Sequence, residues 1–282
     1  MQVFQLKKDL KEHLSTLESK NYTIGMVPTM GALHQGHISL VQKAAKENDF
    51  VVISIFVNPT QFNNKEDLEK YPQTLDKDVK LLEEAITNGI VFAPSAKEIY
   101  PEKIEANTYN FGPLEHVMEG AFRPGHFDGV GTIVELLLTT VMPRKAYFGE
   151  KDFQQLQIIK KLVQLKKIPI AIIGCPILRE ENGLAMSSRN ERLSSEDRQT
   201  AGFIYKSLKT AKEKFGTKSA QYIKNWIRKE FDAQPDFKLE YIEISDAKNL
   251  TPVKRKQKEK KYRAFIAVYM DDVRLIDNIA LN

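Results

Sequence analysis

Short β-branched stretches alternate with amphipathic segments through the first 175 residues, and this alternation constrains the fold more than any other feature of the chain. Strands are predicted at 22–27, 50–57, 90–93, 146–148 and 170–174. Segments with helical spacing lie between them, at 38–47, 76–87, 129–141 and 152–167. Strands separated in this way form a parallel sheet that is covered by helices, with ligands at the carboxyl ends of the strands. The pattern predicts a doubly wound, Rossmann-like α/β domain over residues 1–176, with a first helix at 3–19 and a first strand that ends at Pro28.

The pattern changes after about residue 176. Two helices are predicted at 196–215 and 220–231, followed by stretches at 238–245 and 262–269 that alternate as paired strands do. A length of 282 residues also favours two domains. We therefore expect a smaller α+β C-terminal domain over residues 177–282, which acts as a lid on the first domain.

Composition and cysteine content limit the cellular compartments in which the protein is expected to function. The hydrophobic share of 42% and the charged share of 28% are ordinary for a globular protein. No apolar run is long enough to span a bilayer, and the first residues lack the pattern of a signal peptide. The single cysteine, Cys175, is expected to be a small buried residue, and it fits a reducing compartment. We expect a cytoplasmic protein with no membrane partner.

The charge balance is mildly basic, with 42 lysines and arginines against 37 acidic residues. This suits an anionic small molecule such as ATP and does not by itself indicate nucleic acid. The basic run KRKQKEKK at 254–261 is expected to be an exposed hairpin tip, with contact to RNA as the alternative. We expect no nucleic-acid partner.

A first polar cluster, PTMGALHQGH at 28–37, follows the first predicted strand and precedes a helix. Its glycines permit close approach of a ligand, and the amide groups at the start of a helix near His37 suit phosphate. The helix dipole disfavours imidazolium, so His34 and His37 are expected to be neutral hydrogen-bond donors, although protonation beside bound phosphate stays open. A zinc site would need a further ligand, and His116 and His126 lack ligand spacing. We therefore predict no metal site in the protein, and the absence of GxxxxGK[ST] excludes a Walker-type loop.

A second polar cluster, LREENGLAMSSRN at 178–190, joins the two predicted domains. Ser187 and Ser188 supply hydroxyl groups and Arg189 a planar cation, which suits a loop that closes over ATP. With the HxGH element, the segment from Met186 to Arg189 resembles the HIGH and KMSKS elements of the nucleotidyltransferase superfamily. It lacks the first lysine of KMSKS and has arginine at the fourth position, which points away from an aminoacyl-tRNA synthetase.

Six blocks in order resemble the pantothenate synthetase (pantoate–β-alanine ligase) family: PTMGALHQGH at 28–37, SIFVNPTQF at 54–62, YPQTLDKD at 71–78, RPGHFDGV at 123–130, YFGEKDFQQL at 147–156 and GLAMSSRN at 183–190. The resemblance covers about residues 22–193. It implies that the chain joins (R)-pantoate to β-alanine through a pantoyl-adenylate, with ATP cleaved to AMP and pyrophosphate. It also implies ATP as a substrate that carries Mg²⁺, and a homodimer.

The resemblance assigns the site residue by residue. The family's ATP contacts fall on Met30, Gly31, Ala32, Leu33, His34, Gln35, Gly36, His37, Gly149, Glu150, Lys151, Asp152, the backbone of Leu178, Met186, Ser187, Ser188 and Arg189. The pantoate contacts fall on Gln61 and Gln155, with Gln61 also near β-alanine, and His37 has the proton-donor position. Because Lys77 departs from a more acidic form of its block, we assign no metal role to Asp76 and Asp78.

Adenylation needs no nucleophile from the enzyme, because the substrate carboxylate attacks the α-phosphorus. Alignment and positive charge around the leaving pyrophosphate must supply the catalysis, and we assign that work to His34, His37, Lys151 and Arg189. Glutamine at the two pantoate positions would orient a carboxylate without neutralising it. Arg123 and His126 are expected either at the site or at a dimer contact. The alternative functions are an adenylyltransferase of the same superfamily with another small acceptor, and a nucleotide sensor without turnover.

Overall fold

The computed structural model describes residues 1–62 and 65–282, and these form two compact units. The first unit consists of Met1–Phe111, Arg123–Glu150 and Ile158–Pro176. The second unit consists of Gly112–Phe122, Lys151–Gln157 and Ile177–Asn282, so it includes two segments that come earlier in the chain than its main body. Within the described residues, no helix has the length and apolarity to cross a membrane.

The first unit is built on a six-stranded sheet in which every pairing is parallel. Its order is β1-β4-β3-β2-β5-β6, with β1 Gln2–Phe4, β2 Ile24–Thr29, β3 Phe50–Ile55, β4 Gly89–Phe92, β5 Lys145–Gly149 and β6 Ala171–Cys175. In β3, the side chains of Val51, Val52 and Ile53 are fully buried, as expected for a parallel strand covered on both faces. The predicted Rossmann-like α/β fold is confirmed.

Helices connect and flank these strands. They are α1 Lys7–Glu18, α2 Gln35–Glu47, α3 Lys65–Glu69, α4 Leu75–Ala85, α5 Ala96–Ile99, α7 His126–Val141 and α8 Phe153–Leu165, of which α8 begins in the second unit. Leu10 of α1, Val41 of α2 and Leu82 of α4 are fully buried. Each of these three helices therefore contributes one apolar face to the core of the first unit.

Two features near the start of the chain differ from the sequence prediction. The helix predicted at 3–19 is preceded by strand β1, whose Val3 pairs with Val91 of β4. Pro28 lies inside β2 and does not end it. β5 pairs with β2 only at Gly25 and Met26, so the missing N–H of Pro28 interrupts no hydrogen bond of that ladder.

The second unit contains a three-stranded antiparallel sheet in the order β7-β8-β9, with β7 Lys238–Asp246, β8 Tyr262–Met270 and β9 Val273–Ala280. Its helices are α6 Met118–Phe122, α9 Ser195–Thr200, α10 Gly202–Phe215 and α11 Ala220–Asp232. The single helix predicted at 196–215 is therefore wrong, because the chain divides it at Ala201. A side chain at Gly202 would place its Cβ 2.7 Å from the carbonyl oxygen of Asn182, so this helix start needs glycine. Strand β9 was not predicted.

The two faces of the antiparallel sheet differ. Ile244, Ile266 and Leu275 lie in the apolar core that the sheet shares with the helices of the second unit. Alternation places Arg274 and Asn278 on the opposite face, where Asn278 pairs with Phe265 in the register. The basic run at 254–261 lies in the connection between β7 and β8, and all of its residues are exposed.

Candidate active site

The turn between β2 and α2 carries the first polar cluster. Thr29 ends β2 and its hydroxyl donates to the carbonyl oxygen of Ser54 at 2.6 Å, while the N–H of Gly31 donates to the same hydroxyl at 3.2 Å. Gly31 (φ 84°) and Ala32 (φ 49°) both lie in the left-handed region. A Cβ on Gly31 would lie 3.0 Å from Cγ2 of Ile55, so the turn combines a glycine conformation with a close approach to β3.

The two histidines of this turn form the start of α2. His34 is the N-cap, and the helix begins at Gln35, two residues before the predicted start. The N–H of Gly36 donates to Nδ1 of His34 at 3.1 Å, and the N–H of His34 donates to Nδ1 of His37 at 3.4 Å. Both Nδ1 atoms are therefore acceptors, which requires the neutral tautomer with its proton on Nε2. The ring centroids are 4.1 Å apart. This geometry agrees with the expected neutral, directional donors.

Asp78, in the first turn of α4, binds the backbone of the turn between β2 and α2. Its side chain is 2% exposed, and its two oxygens accept from the N–H of Leu33 at 2.8 Å and of Ala32 at 3.0 Å. Burial raises the pKa of Asp78, and the two backbone donors oppose that shift. Both oxygens thus serve the backbone of the turn. Among residues 1–62 and 65–282, no three His, Cys, Asp or Glu side chains lie together as metal ligands.

Gln61 lies in a short 3-10 helix, Pro59–Gln61, directly after β3. Its Nε2 contacts the sulfur of Met30 at 2.7 Å, and its Oε1 accepts from Nδ2 of Asn58 at 3.4 Å. Asn58 is 1% exposed and accepts from the hydroxyl of Tyr100 at 2.7 Å. The structure therefore brings the predicted pantoate residue beside a predicted ATP residue. Sequence reasoning did not single out Asn58, although it lies within the SIFVNPTQF block.

Arg123 and His126 both bind the backbone of Gln61. Nδ1 of His126 lies 2.9 Å from the carbonyl oxygen of Gln61, and Nη2 of Arg123 donates to the same oxygen at 3.3 Å. Nη1 of Arg123 lies 3.1 Å from Nε2 of His126. A Cβ on Gly129 would lie 2.2 Å from the carbonyl oxygen of Thr60, so α7 approaches this turn at backbone distance. These two side chains thus support Gln61.

In the second unit, the segment Lys151–Gln157 carries three of the predicted residues, Lys151, Asp152 and Gln155. Nζ of Lys151 lies 3.6 Å from a carboxylate oxygen of Asp152, and its side chain is 19% exposed. The carbonyl oxygen of Lys151 accepts from Nδ2 of Asn278 at 2.8 Å. Gln155 is half-buried in the first turn of α8. Gly149 and Glu150, which precede this segment, belong to the first unit, with Gly149 as the last residue of β5.

The segment that contains the second polar cluster folds back on itself. Arg179 forms an antiparallel bridge with Ala185, and the N–H of Met186 donates to the carbonyl oxygen of Leu178 at 3.0 Å. The guanidinium of Arg179 makes a two-point ion pair with Asp277, at 2.7 and 3.0 Å. The predicted ATP-binding segment, residues 186–189, follows the bridged residue Ala185 of this hairpin.

Ser187 caps the next element, a short 3-10 helix at Ser188–Arg192. The hydroxyl oxygen of Ser187 accepts from the N–H of Arg189 at 3.3 Å. Ser187, Ser188 and Arg189 therefore form one local unit, with Asn190 buried behind them.

The predicted site residues fall into a small number of local groups. In the first unit Met30 contacts Gln61, His34 contacts His37, and residues 30–37 form one turn and helix start. In the second unit Lys151 and Gln155 share one segment, and residues 186–189 form another. A parallel α/β sheet with a histidine-capped helix start after a central strand is typical of enzymes that bind a nucleotide at the carboxyl ends of their strands.

Comparisons with known proteins refine this class. The family profile described as Pantoate-beta-alanine ligase matches residues 2–280. The pantothenate synthetase of Christiangramia forsetii is 55% identical over 282 residues, which covers all of both chains. The crystal structure of pantothenate synthetase from Thermus thermophilus has a TM-score of 0.91 at 39% identity, and the match covers 100% of this chain and 99% of that one.

A third relative was solved with ligands. The pantoate-beta-alanine ligase of Francisella tularensis, in a complex with beta-gamma ATP and beta-alanine, has a TM-score of 0.81 at 38% identity. The match covers 100% of this chain and 98% of that one. The chain belongs to the pantoate–β-alanine ligase family, which confirms the resemblance seen in the sequence and the expected enzyme class, an ATP-dependent ligase.

Proposed function

We propose that the chain joins (R)-pantoate to β-alanine to form pantothenate, through a pantoyl-adenylate, while ATP is cleaved to AMP and pyrophosphate. The observation that carries this proposal is the start of α2, where two neutral histidines follow the turn that carries Met30, and Met30 contacts the side chain of Gln61. The complex of the Francisella relative with beta-gamma ATP and beta-alanine supports the choice of substrates.

In the first half-reaction, a carboxylate oxygen of pantoate attacks the α-phosphorus of ATP, and the bond to the bridging oxygen of pyrophosphate breaks. The enzyme contributes alignment and positive potential around the leaving group. His34 and His37 donate from Nε2, with His37 as the proton donor, and Lys151 and Arg189 supply positive charge. Gln61 and Gln155 hold pantoate with amide groups, so the attacking carboxylate keeps its charge.

ATP contacts are proposed at the positions that the family resemblance assigns. In the first unit these are Met30, Gly31, Ala32, Leu33, His34, Gln35, Gly36, His37, Gly149 and Glu150. In the second unit they are Lys151, Asp152, the backbone of Leu178, Met186, Ser187, Ser188 and Arg189. The start of α2 supports the contacts at residues 30–37, because the amide groups and dipole of a helix N-terminus favour phosphate.

In the second half-reaction, the neutral amine of β-alanine attacks the acyl carbon of the adenylate and AMP leaves. Water must be kept from this mixed anhydride. The division at residue 176 and the lid role of residues 177–282 stay predictions. Limited proteolysis with and without ATP tests them, because a lid that closes on ATP becomes protected.

Three further features belong to the proposal. Mg²⁺ enters with ATP and neutralises phosphate charge when it is bound. A homodimer is expected, which sedimentation velocity tests. A cytoplasmic location is expected because the one cysteine, Cys175, is buried and has no disulfide partner.

A pyrophosphate-release assay with ATP and Mg²⁺ tests the reaction. Pyrophosphate release should require pantoate, and pantothenate and AMP should form only when β-alanine is also present. Release that ignores pantoate, or that responds to a different acid, would contradict the proposal and favour another adenylyltransferase of the superfamily.

Gln155→Ala tests the pantoate assignment. We expect a higher Michaelis constant for pantoate or a lower turnover. Gln164→Ala is the matched control, because Gln164 is an exposed glutamine of the same helix. Equal kinetics for the two variants would remove Gln155 from the site.

A further inference from the structure

The outer face of the C-terminal sheet, which is the face opposite the helical core, carries buried polar side chains. Asn278 in β9 is 2% exposed, and the side chain of Arg274 in the same strand is 18% exposed. Buried polar groups are costly unless they are paired, so their partners identify what this face does. Asn278 bonds directly to Lys151–Gln157, the segment that carries Lys151 and Gln155. Arg274 is connected to the same segment through Glu119.

Asn278 is the first connection. Its Nδ2 donates to the carbonyl oxygen of Lys151 at 2.8 Å, and its Oδ1 accepts from Nη1 of Arg263. The guanidinium of Arg263 also lies over the ring of Phe153, 4.0 Å from the centroid. The two ends of the amide are therefore distinguished by their partners, and the donor end is directed at the peptide group of Lys151.

Arg274 begins the second connection. Its Nη1 and Nη2 donate to the two carboxylate oxygens of Glu119, both at 2.8 Å, and the hydroxyl of Tyr241 donates to Glu119 at 2.8 Å. Burial raises the pKa of Tyr241 well above its ordinary value, and the nearby charge of Glu119 adds a smaller effect in the same direction. The hydroxyl therefore keeps its proton. The sheet thereby holds the segment Gly112–Phe122.

Gln154 completes the second connection. It is 4% exposed, its Oε1 accepts from the N–H of Glu119 at 3.0 Å, and its Nε2 donates to the carbonyl oxygens of Leu114 and Val117 at 2.8 Å. Gln154 is the neighbour of Gln155 in the first turn of α8. A change in its bonds would therefore rotate or displace the turn from which Gln155 projects.

We propose that Asn278 and Gln154 are positioning residues for the reaction: Asn278 sets the peptide of Lys151 for ATP, and Gln154 sets the helix turn of Gln155 for pantoate. The inference rests on the proposed function, because it assigns supports to residues whose roles are themselves proposed. Loss of either support should affect the substrate of the residue that it holds. A purely structural role would affect both substrates equally or neither.

The experiment compares variants of the full chain in pantoate-dependent pyrophosphate release with ATP and Mg²⁺. Asn278→Leu removes both ends of the amide, and Asn278→Asp keeps an acceptor for Arg263 but loses the donor to Lys151. Gln154→Met removes the second connection at nearly constant volume. Ile266→Val is the control, since Ile266 is fully buried on the opposite face of the same sheet.

We expect both Asn278 variants to lower kcat/KM for ATP by about tenfold or more, since small misplacements of reacting groups have effects of this size. Their KM for pantoate should change little. Gln154→Met should instead raise KM for pantoate by about tenfold. Ile266→Val should lower the urea midpoint and leave every kinetic constant unchanged.

The inference is overturned if the Asn278 and Gln154 variants change only the urea midpoint, or if they raise KM for ATP and KM for pantoate by the same factor. Should Asn278→Leu not fold, Asn278→Asp decides the first connection. Failure of the proposed function is a separate result, because the unmodified chain would then release no pyrophosphate with pantoate. A Lys151→Ala variant with full activity would overturn the assignment of Lys151 and, with it, the role of Asn278.

Discussion

Replacement of Asp78 by asparagine is the sharpest test of how the histidine-bearing turn is held. The carboxylate is 2% exposed and accepts one backbone N–H with each oxygen, at 2.8 and 3.0 Å. In Asp78→Asn the amide oxygen keeps one of these bonds. The amide nitrogen then faces the second N–H, so two donors meet and neither is satisfied.

The magnitude follows from three contributions. A buried N–H without an acceptor costs about 1–3 kcal/mol, and the remaining bond loses about 1 kcal/mol because its acceptor is no longer charged. In the opposite direction, the neutral amide avoids the burial cost that raises the pKa of Asp78. We expect a net loss of about 2 kcal/mol in the free energy of unfolding.

Urea unfolding at pH 7.5, followed by circular dichroism, measures this loss, with Asp76→Asn as the matched control. Asp76 lies in the same first turn of α4 but is exposed, so its variant removes the same charge from the same helix end. Asp78→Asn should be less stable than Asp76→Asn and should also use ATP poorly, because the turn leads to His34. Equal stability of the two variants would refute the reasoning.

Three other predictions concern the stability and chemistry of single residues. Gly31→Ala should lower the free energy of unfolding by about 1–2 kcal/mol, because φ is 84° and the new Cβ lies 3.0 Å from Ile55. Gly112→Ala is the control, because Gly112 has φ 65° and open space around the new Cβ, so it should lose less stability. Equal losses in the two variants would contradict the role of crowding at Gly31. Burial raises the pKa of Cys175 to about 11, so at pH 8 a thiol reagent should label it only as fast as the chain unfolds, and rapid native labelling would count against this. Hydrogen bonds from Lys43, Lys145 and Tyr147 lower the pKa of Glu47 from 4.5 to about 2. The stabilisation that Glu47 contributes is therefore present above pH 4.5 and is lost as the pH falls towards 2. Glu47→Gln should lower the urea midpoint at pH 7 more than at pH 3, and an equal decrease at both pH values would contradict this reasoning.

Most of the fold could be predicted from local sequence, because the strands and helices of the first unit show their own periodicity. The misses occurred where long-range pairing decides the structure. Strand β1 is three residues long and exists because it pairs with β4, and Pro28 stays in its strand because β5 pairs with only part of β2. Strand β9 was not predicted from the sequence because two polar residues, Asp277 and Asn278, interrupt its apolar alternation.

The candidate site divides in the same way. Motif spacing indicated His34 and His37, because a strand followed by a glycine turn and a helix start is a local pattern, whereas Gln61 was indicated only by the family resemblance. Asp78 was considered only as a metal ligand, yet it holds the turn that lies 45 residues earlier in the sequence. Nothing in the spacing of residues indicated that Asn278 would bind the peptide of Lys151.

The sequence by itself determined the class of fold and the family and indicated the candidate groups of the site, because these depend on residue type and on spacing along a single strand, turn or helix. The tertiary structure decided what Asp78 binds and which strand supports Lys151. Those properties depend on hydrogen bonds between segments far apart in the chain, and the direction of such bonds is set only when the sheet and its packed helices have formed.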